Sequence, residues 1–99
     1  MNNSKKDISI GSVIESMYKR YKLDSKLIEI QIIKDWENVV GQLIAKHTTS
    51  IKLTNKTLYL QFDNGPLKNE MFLQRDLLIK KVNEHFSKVI VEKIFISEQ

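Results

Sequence analysis

The apolar residues of this chain switch from helical to alternating period at Thr48, and that change limits what the chain can fold into. Before it, Ile10, Val13, Ile14, Met17, Tyr18 and Tyr21 recur at the three-and-four spacing of an amphipathic helix. Ile28, Ile32, Ile33, Trp36, Val39 and Val40 repeat the same spacing further along. After Thr48, Ile51 and Leu53 alternate with Ser50, Lys52 and Thr54, and Leu58, Leu60 and Phe62 alternate with Tyr59 and Gln61. Alternation of this kind is the period of a strand buried on one face. Helices followed by strands in one short chain make an α+β domain, in which the apolar face of a small sheet is covered by helices.

Local signals set the boundaries. Lys19, Arg20 and Lys22 suit the carbonyl end of the first helix. "LDS" is expected to end that helix, with Asp24 or Ser25 capping a second one. Gly41 is expected to end or bend the second helix, with "QLIAK" continuing in phase. "TNKT" reads as a hairpin in which Asn55 tolerates positive φ; Lys56 fits the second turn position less well than Gly, which leaves a slightly longer loop open. Pro66, in "DNGP", suits the first turn of a third helix lined by Leu67, Met71, Leu78, Val82 and Phe86. The β-branched run "VIVEKIFIS" is expected to be the last strand. The predicted order is α-α-β-β-α-β, a three-stranded sheet packed on helices in two layers. Its open face would show Lys52, Tyr59 and Gln61 and, depending on register, Lys93 and Phe95. With 99 residues there is room for one domain. It is assigned to residues 9–97, with the polar residues 1–8 frayed.

Several function classes find no support. There is no cysteine, hence no disulfide framework or thiol nucleophile. No apolar run is long enough to span a membrane, and "MNNSKKD" is not a signal peptide, so an intracellular, cytoplasmic location is expected. His47 and His85 are the only imidazoles, and no phosphate-binding loop or nucleophile elbow is present. Carboxylates sit singly beside cations at i, i+4, as in Glu15 with Lys19 and Asp76 with Lys80, which is ordinary surface pairing. The chain is therefore expected not to be an enzyme and to hold no metal, cofactor or small-molecule substrate.

The charge pattern points elsewhere. The net charge is +4, and no acid lies between Glu37 and Asp63, whereas Lys46, His47, Lys52 and Lys56 do. Basic residues interleaved with Tyr59 on an open sheet face can meet phosphates and stack bases, or form an ordinary solvated face. His47 is either a solvated side chain or a phosphate contact. Trp36 is either a base-stacking aromatic or a core anchor, and its place on the Ile32–Val40 stripe favours the core. Lys68 and Arg75 on the third helix share its surface with Glu70 and Asp76, which dilute their field.

Taken in order, "IIKDWENVVGQLIAKHT", "LYLQF", "NGPLKNEM" and "LLIKKVNEHF" with a closing strand resemble the DciA-type proteins of bacteria. The carrying residues are Trp36, Gly41, Ala45, His47 and Thr48, then Leu67, Asn69, Glu70 and Met71, then Leu77, Leu78 and Asn83. The resemblance implies a KH-like fold and a replication role: binding the replicative DNA helicase and assisting its placement on single-stranded DNA. Under it, Lys46, His47, Lys52, Lys56 and Tyr59 are the candidate nucleic-acid residues, and Lys68, Arg75 and Phe95 the candidate partner residues. Two departures from the family pattern point to weak DNA contact. Leu67 stands where many relatives carry Trp, and the extra basic extension of longer relatives is missing from this chain. No Gly-x-x-Gly loop is present, so the RNA clamp of KH domains is absent. The alternative is a general RNA- or DNA-binding module that acts without a helicase.

Overall fold

A computed structural model describes residues 9–97; the stretch expected to fray lies outside them. The elements are α1 (Ile10–Val40), α2 (Gln42–Lys46), β1 (Thr48–Thr54), β2 (Thr57–Phe62), α3 (Gly65–Leu73), α4 (Arg75–Phe86) and β3 (Lys93–Ile96). The domain is α+β, and its helices precede the hairpin and bridge it to the last strand in the expected order. The boundary between the first two helices falls at Gly41 rather than at "LDS". Ser25 does not cap a new helix. Its hydroxyl donates to the Leu53 carbonyl of β1 instead, so a tertiary contact takes up the group that would have interrupted the helix. α1 therefore runs unbroken for 31 residues, about 46 Å. It starts at Ser9, whose hydroxyl accepts from the Ser12 N–H, and stops at Gly41, whose φ of 94° is outside the range of most other residues.

The sheet order is β1-β2-β3, with β1 antiparallel and β3 parallel to the central β2. The hairpin turn has two residues, Asn55 and Lys56, both at positive φ, as a tight turn matched to the strand twist requires. Lys56 tolerates that conformation where its carbonyl accepts from the N–H groups of Glu92 and Lys93. The third expected helix is two, with the joint at Gln74. No Gly or Pro marks it. The Phe72 carbonyl, freed from the helical ladder, accepts from Arg75 Nη1 at 2.8 Å, and the guanidinium lies over the Phe72 ring.

β3 is shorter than the β-branched run suggests. Asn83 of α4 holds the segment before it: its Oδ1 accepts from the N–H groups of Ile90 and Val91, and its Nδ2 donates to the Val91 carbonyl. Ile90 and Val91 thereby enter the core as loop residues, buried beside Val82.

The core lies between the inner sheet face and the helices. Ile32 and Trp36 of α1 meet Leu53, Leu58 and Leu60 of the sheet and Leu78 and Val82 of α4. Trp36 is buried, and its Nε1 donates to Thr48 Oγ1, which in turn donates to the Ile44 carbonyl. The core reading of Trp36 holds, and its polar edge fixes the entry to β1.

α1 also closes the free edge of β1. In the antiparallel ladder Leu53 turns its N–H and C=O away from β2. Glu29 of α1 accepts that N–H at 2.8 Å, and Ser25 donates to that carbonyl. Pairing of this edge with another chain is blocked at Leu53. Burial pushes the Glu29 carboxyl up, but the Lys26 ammonium at 2.9 Å and the Leu53 N–H more than offset it, and the group sits below its ordinary range. Further towards its start, α1 passes the hairpin tip, where the Tyr21 hydroxyl donates to Asn55 Oδ1. The turns before Tyr21 have no sheet beneath them, and Ile10, Ile14 and Met17 are 79%, 60% and 64% exposed.

Candidate nucleic-acid interface

Period-two alternation sends Leu53, Leu58 and Ile94 inward and leaves their neighbours on the outer face. Register then joins Lys52, Tyr59 and Phe95 into one row across all three strands. Tyr59 and Phe95 are exposed and tilted against each other at 58°, with ring centroids 5.7 Å apart. The next row towards the hairpin tip is Thr54, Thr57 and Lys93. On the other side, Ser50 faces Gln61. Lys52 and Lys93 enter no ion pair among the described residues. Two adjacent aromatic faces, bordered by two ammonium groups and by hydroxyl and amide groups, can take up unstacked bases and the phosphates between them.

The remaining predicted residues are distributed differently. Lys56, at the hairpin tip, lies 3.9 Å from Glu92, which neutralises part of its field. Lys46 and His47 lie at the opposite end of β1, about 23 Å of strand away. The His47 ring places Nδ1 2.7 Å from Asp63 Oδ1, and the Asp63 N–H donates to the His47 carbonyl. The acid that closes the basic window in sequence is thus folded onto its histidine, and an anionic neighbour opposes a phosphate there. The second histidine is engaged similarly: His85 Nε2 is 3.1 Å from Asp35 Oδ2, linking α4 to α1. This contact with His85, with a hydrogen bond from Gln31, lowers the Asp35 carboxyl pKa.

The candidate partner residues do not form one surface. Arg75 is occupied at the α3–α4 joint, Lys68 lies in the first turns of α3, and Phe95 belongs with Tyr59 on the open sheet face. Lys93 was not among the predicted site residues. The parity of Phe95 reveals it, because residues two apart on a strand share a face. Among the described residues, no group of three or more His, Asp or Glu could hold a metal ion, and no helix is long and apolar enough to cross a membrane.

The family model described as "Dna[CI] antecedent, DciA" matches residues 9–96, from the cap of α1 to the last residue of β3. The chain belongs to the DciA family. The name of that family links it to loading of the DnaB helicase. Most of the residues that carried the resemblance hold the DciA fold rather than the open face. Trp36 and Thr48 form the hydrogen-bonded entry to β1, Gly41 ends α1, Met71 and Leu78 are core, and Asn83 holds the loop before β3. No curated protein matches the chain, and no solved structure does.

Proposed function

We propose that this DciA-family chain is a non-enzymatic replication factor of the bacterial cytoplasm. It binds the replicative DNA helicase and assists its loading on single-stranded DNA. The observation that carries this reading is the family match over residues 9–96. In this reading the row Lys52–Tyr59–Phe95, extended by Lys93, touches the strand while the helicase is held elsewhere on the domain. Two ammonium groups neutralise about two phosphates, so the logarithm of affinity falls with that of salt at a slope of only about −1.4. Weak, salt-tolerant DNA contact suits a protein that must hand the strand over.

The test of partnership is a pull-down of the chain with its purified replicative helicase, with and without single-stranded DNA. Binding at micromolar concentration is expected, and its absence refutes the reading. The test of the face is fluorescence anisotropy with a labelled oligonucleotide. Tyr59→Ala removes a stacking partner worth about 1–3 kcal/mol. Lys52→Glu with Lys93→Glu weakens binding further, whereas Lys56→Glu does less, since Lys56 already faces Glu92. Unchanged affinity in the Tyr59 variant and the double charge reversal places the strand elsewhere. A second reading, a nucleic-acid module acting without helicase, is favoured by the same open face. It predicts full DNA affinity together with no helicase capture.

A further inference from the structure

Among the described residues, α1 carries ten of the seventeen exposed large apolar side chains, more than a helix with a solvated outer face would show. Some of them lie on the overhang described above. Leu23, Leu27 and Ile30 do not. They are 59%, 56% and 51% exposed in the part of α1 that packs on the sheet. At about 100° per residue they fall on the side of the helix opposite Ile28, Ile32 and Trp36. α1 therefore has two apolar stripes, one buried in its own domain and one pointing away from it.

We propose that the outer stripe of α1 is an interface for a second copy of the same chain, with the two α1 helices antiparallel. Arg20, Leu23, Leu27, Ile30, Lys34 and Glu37 follow the alternating three-and-four spacing of a coiled-coil seam. A two-fold axis midway between Leu27 and Ile30 sets Leu27 against the second copy's Ile30. It also sets Leu23 against the stem of the second copy's Lys34, and Arg20 against the second copy's Glu37. Each contact occurs twice, as an isologous interface demands. Both ends of the apolar seam are closed by opposite charges, and the Lys34 stem lies along Leu23 with its ammonium in water. The parallel arrangement fails on the same residues: it sets Arg20 against Arg20, Lys34 against Lys34 and Glu37 against Glu37.

The geometry admits this pairing. Since the seam lies opposite the packed face, the two domain bodies fall on the outer sides of the helix pair, and both open sheet faces stay accessible. The two α1 helices overlap over residues 17–40, about 36 Å. Only the middle of that length is apolar, less than the ~800 Å² per partner of a standard interface. The dimer is accordingly a micromolar one, present at high local concentration and dissociable.

Sedimentation equilibrium of the full chain from about 5 to about 500 µM tests the proposal. A monomer–dimer equilibrium is expected. Arg20→Glu and Glu37→Arg each turn two attractions into repulsions and raise the dimer dissociation constant about tenfold. Mixing the two single variants restores association, because at both ends of the mixed seam a carboxylate of one chain then meets a guanidinium of the other. Leu27→Glu abolishes the dimer, and an unchanged circular dichroism melt verifies that its fold is intact. A chain monomeric throughout, single variants that dimerise like the parent, or a mixture that fails to associate each overturns the proposal. In those cases the stripe serves an unlike partner.

Discussion

Removal of the Glu29 carboxylate tests whether α1 is fastened to the sheet edge by one buried acceptor. Glu29 is 6% exposed, and its two oxygens serve two donors, the Leu53 N–H at 2.8 Å and the Lys26 ammonium at 2.9 Å. The Lys26 side chain is 63% exposed, so that pair contributes only a few tenths of a kcal/mol after screening by water. The Leu53 contact matters more: a hydrogen bond to a charged acceptor is worth about 1.5–3 kcal/mol, and losing it strands a backbone donor. Glu29→Ala is expected to cost about 2–3 kcal/mol at neutral pH, and Glu29→Gln, which keeps an acceptor oxygen, about 1 kcal/mol. The pH dependence has a definite sign. The folded-state pKa lies below the ordinary 4.5, so the carboxylate contributes stability that is fully present above about pH 4.5 and lost as pH falls through the folded value. Urea unfolding of wild type and Glu29→Gln from about pH 7 to about pH 3 should show the gap narrowing at the acid end. An alanine variant within about 0.5 kcal/mol of wild type, or a gap independent of pH, refutes the account.

Two further substitutions separate fold from surface. Trp36→Ala should cost about 3–5 kcal/mol in urea unfolding. Trp36→Phe should cost less, because it loses the hydrogen bond to Thr48 and only part of the buried surface. Asn83→Ala leaves the N–H groups of Ile90 and Val91 without their acceptor and should cost about 2–4 kcal/mol. Asn83→Asp keeps the acceptor for both N–H groups but sets a carboxylate oxygen against the Val91 carbonyl in place of the Nδ2 donor, and should recover only part of that loss, as read by thermal melting.

The period change at Thr48, the return to helical spacing after Pro66 and the β-branched closing run together reveal the element order, because strand and helix periods cannot be satisfied by the same backbone. The composition of the open face was legible for the same reason: once Leu53 and Leu58 point inward, Lys52 and Tyr59 must point out. Phe95 and Lys93 followed only when register was known. What escaped the sequence depends on contacts between distant residues. Ser25 looks like a helix cap until the carbonyl of Leu53 is available to it. The α3–α4 joint has no Gly or Pro, and it persists because Arg75 takes the carbonyl that the break exposes. The segment Val89–Val91 has strand composition, yet Asn83 holds it as a loop. His47 reads as free until the β1–β2 hairpin brings Asp63, sixteen positions along the chain, to 2.7 Å.

The overhang of α1 gives one helix two regimes of local stability. Around Ile32 and Trp36 the backbone amides lie in the core and open only when the domain unfolds globally. From Ile10 to about Arg20 no sheet supports the turns, and a helix of that length in isolation would not persist in water. It forms here because the anchored half has already met the cost of nucleation, and each added turn only propagates. Amide hydrogen exchange along α1 should therefore rise steadily from Trp36 towards Ile10. Any molecule that settles on the overhang will announce itself by flattening that gradient.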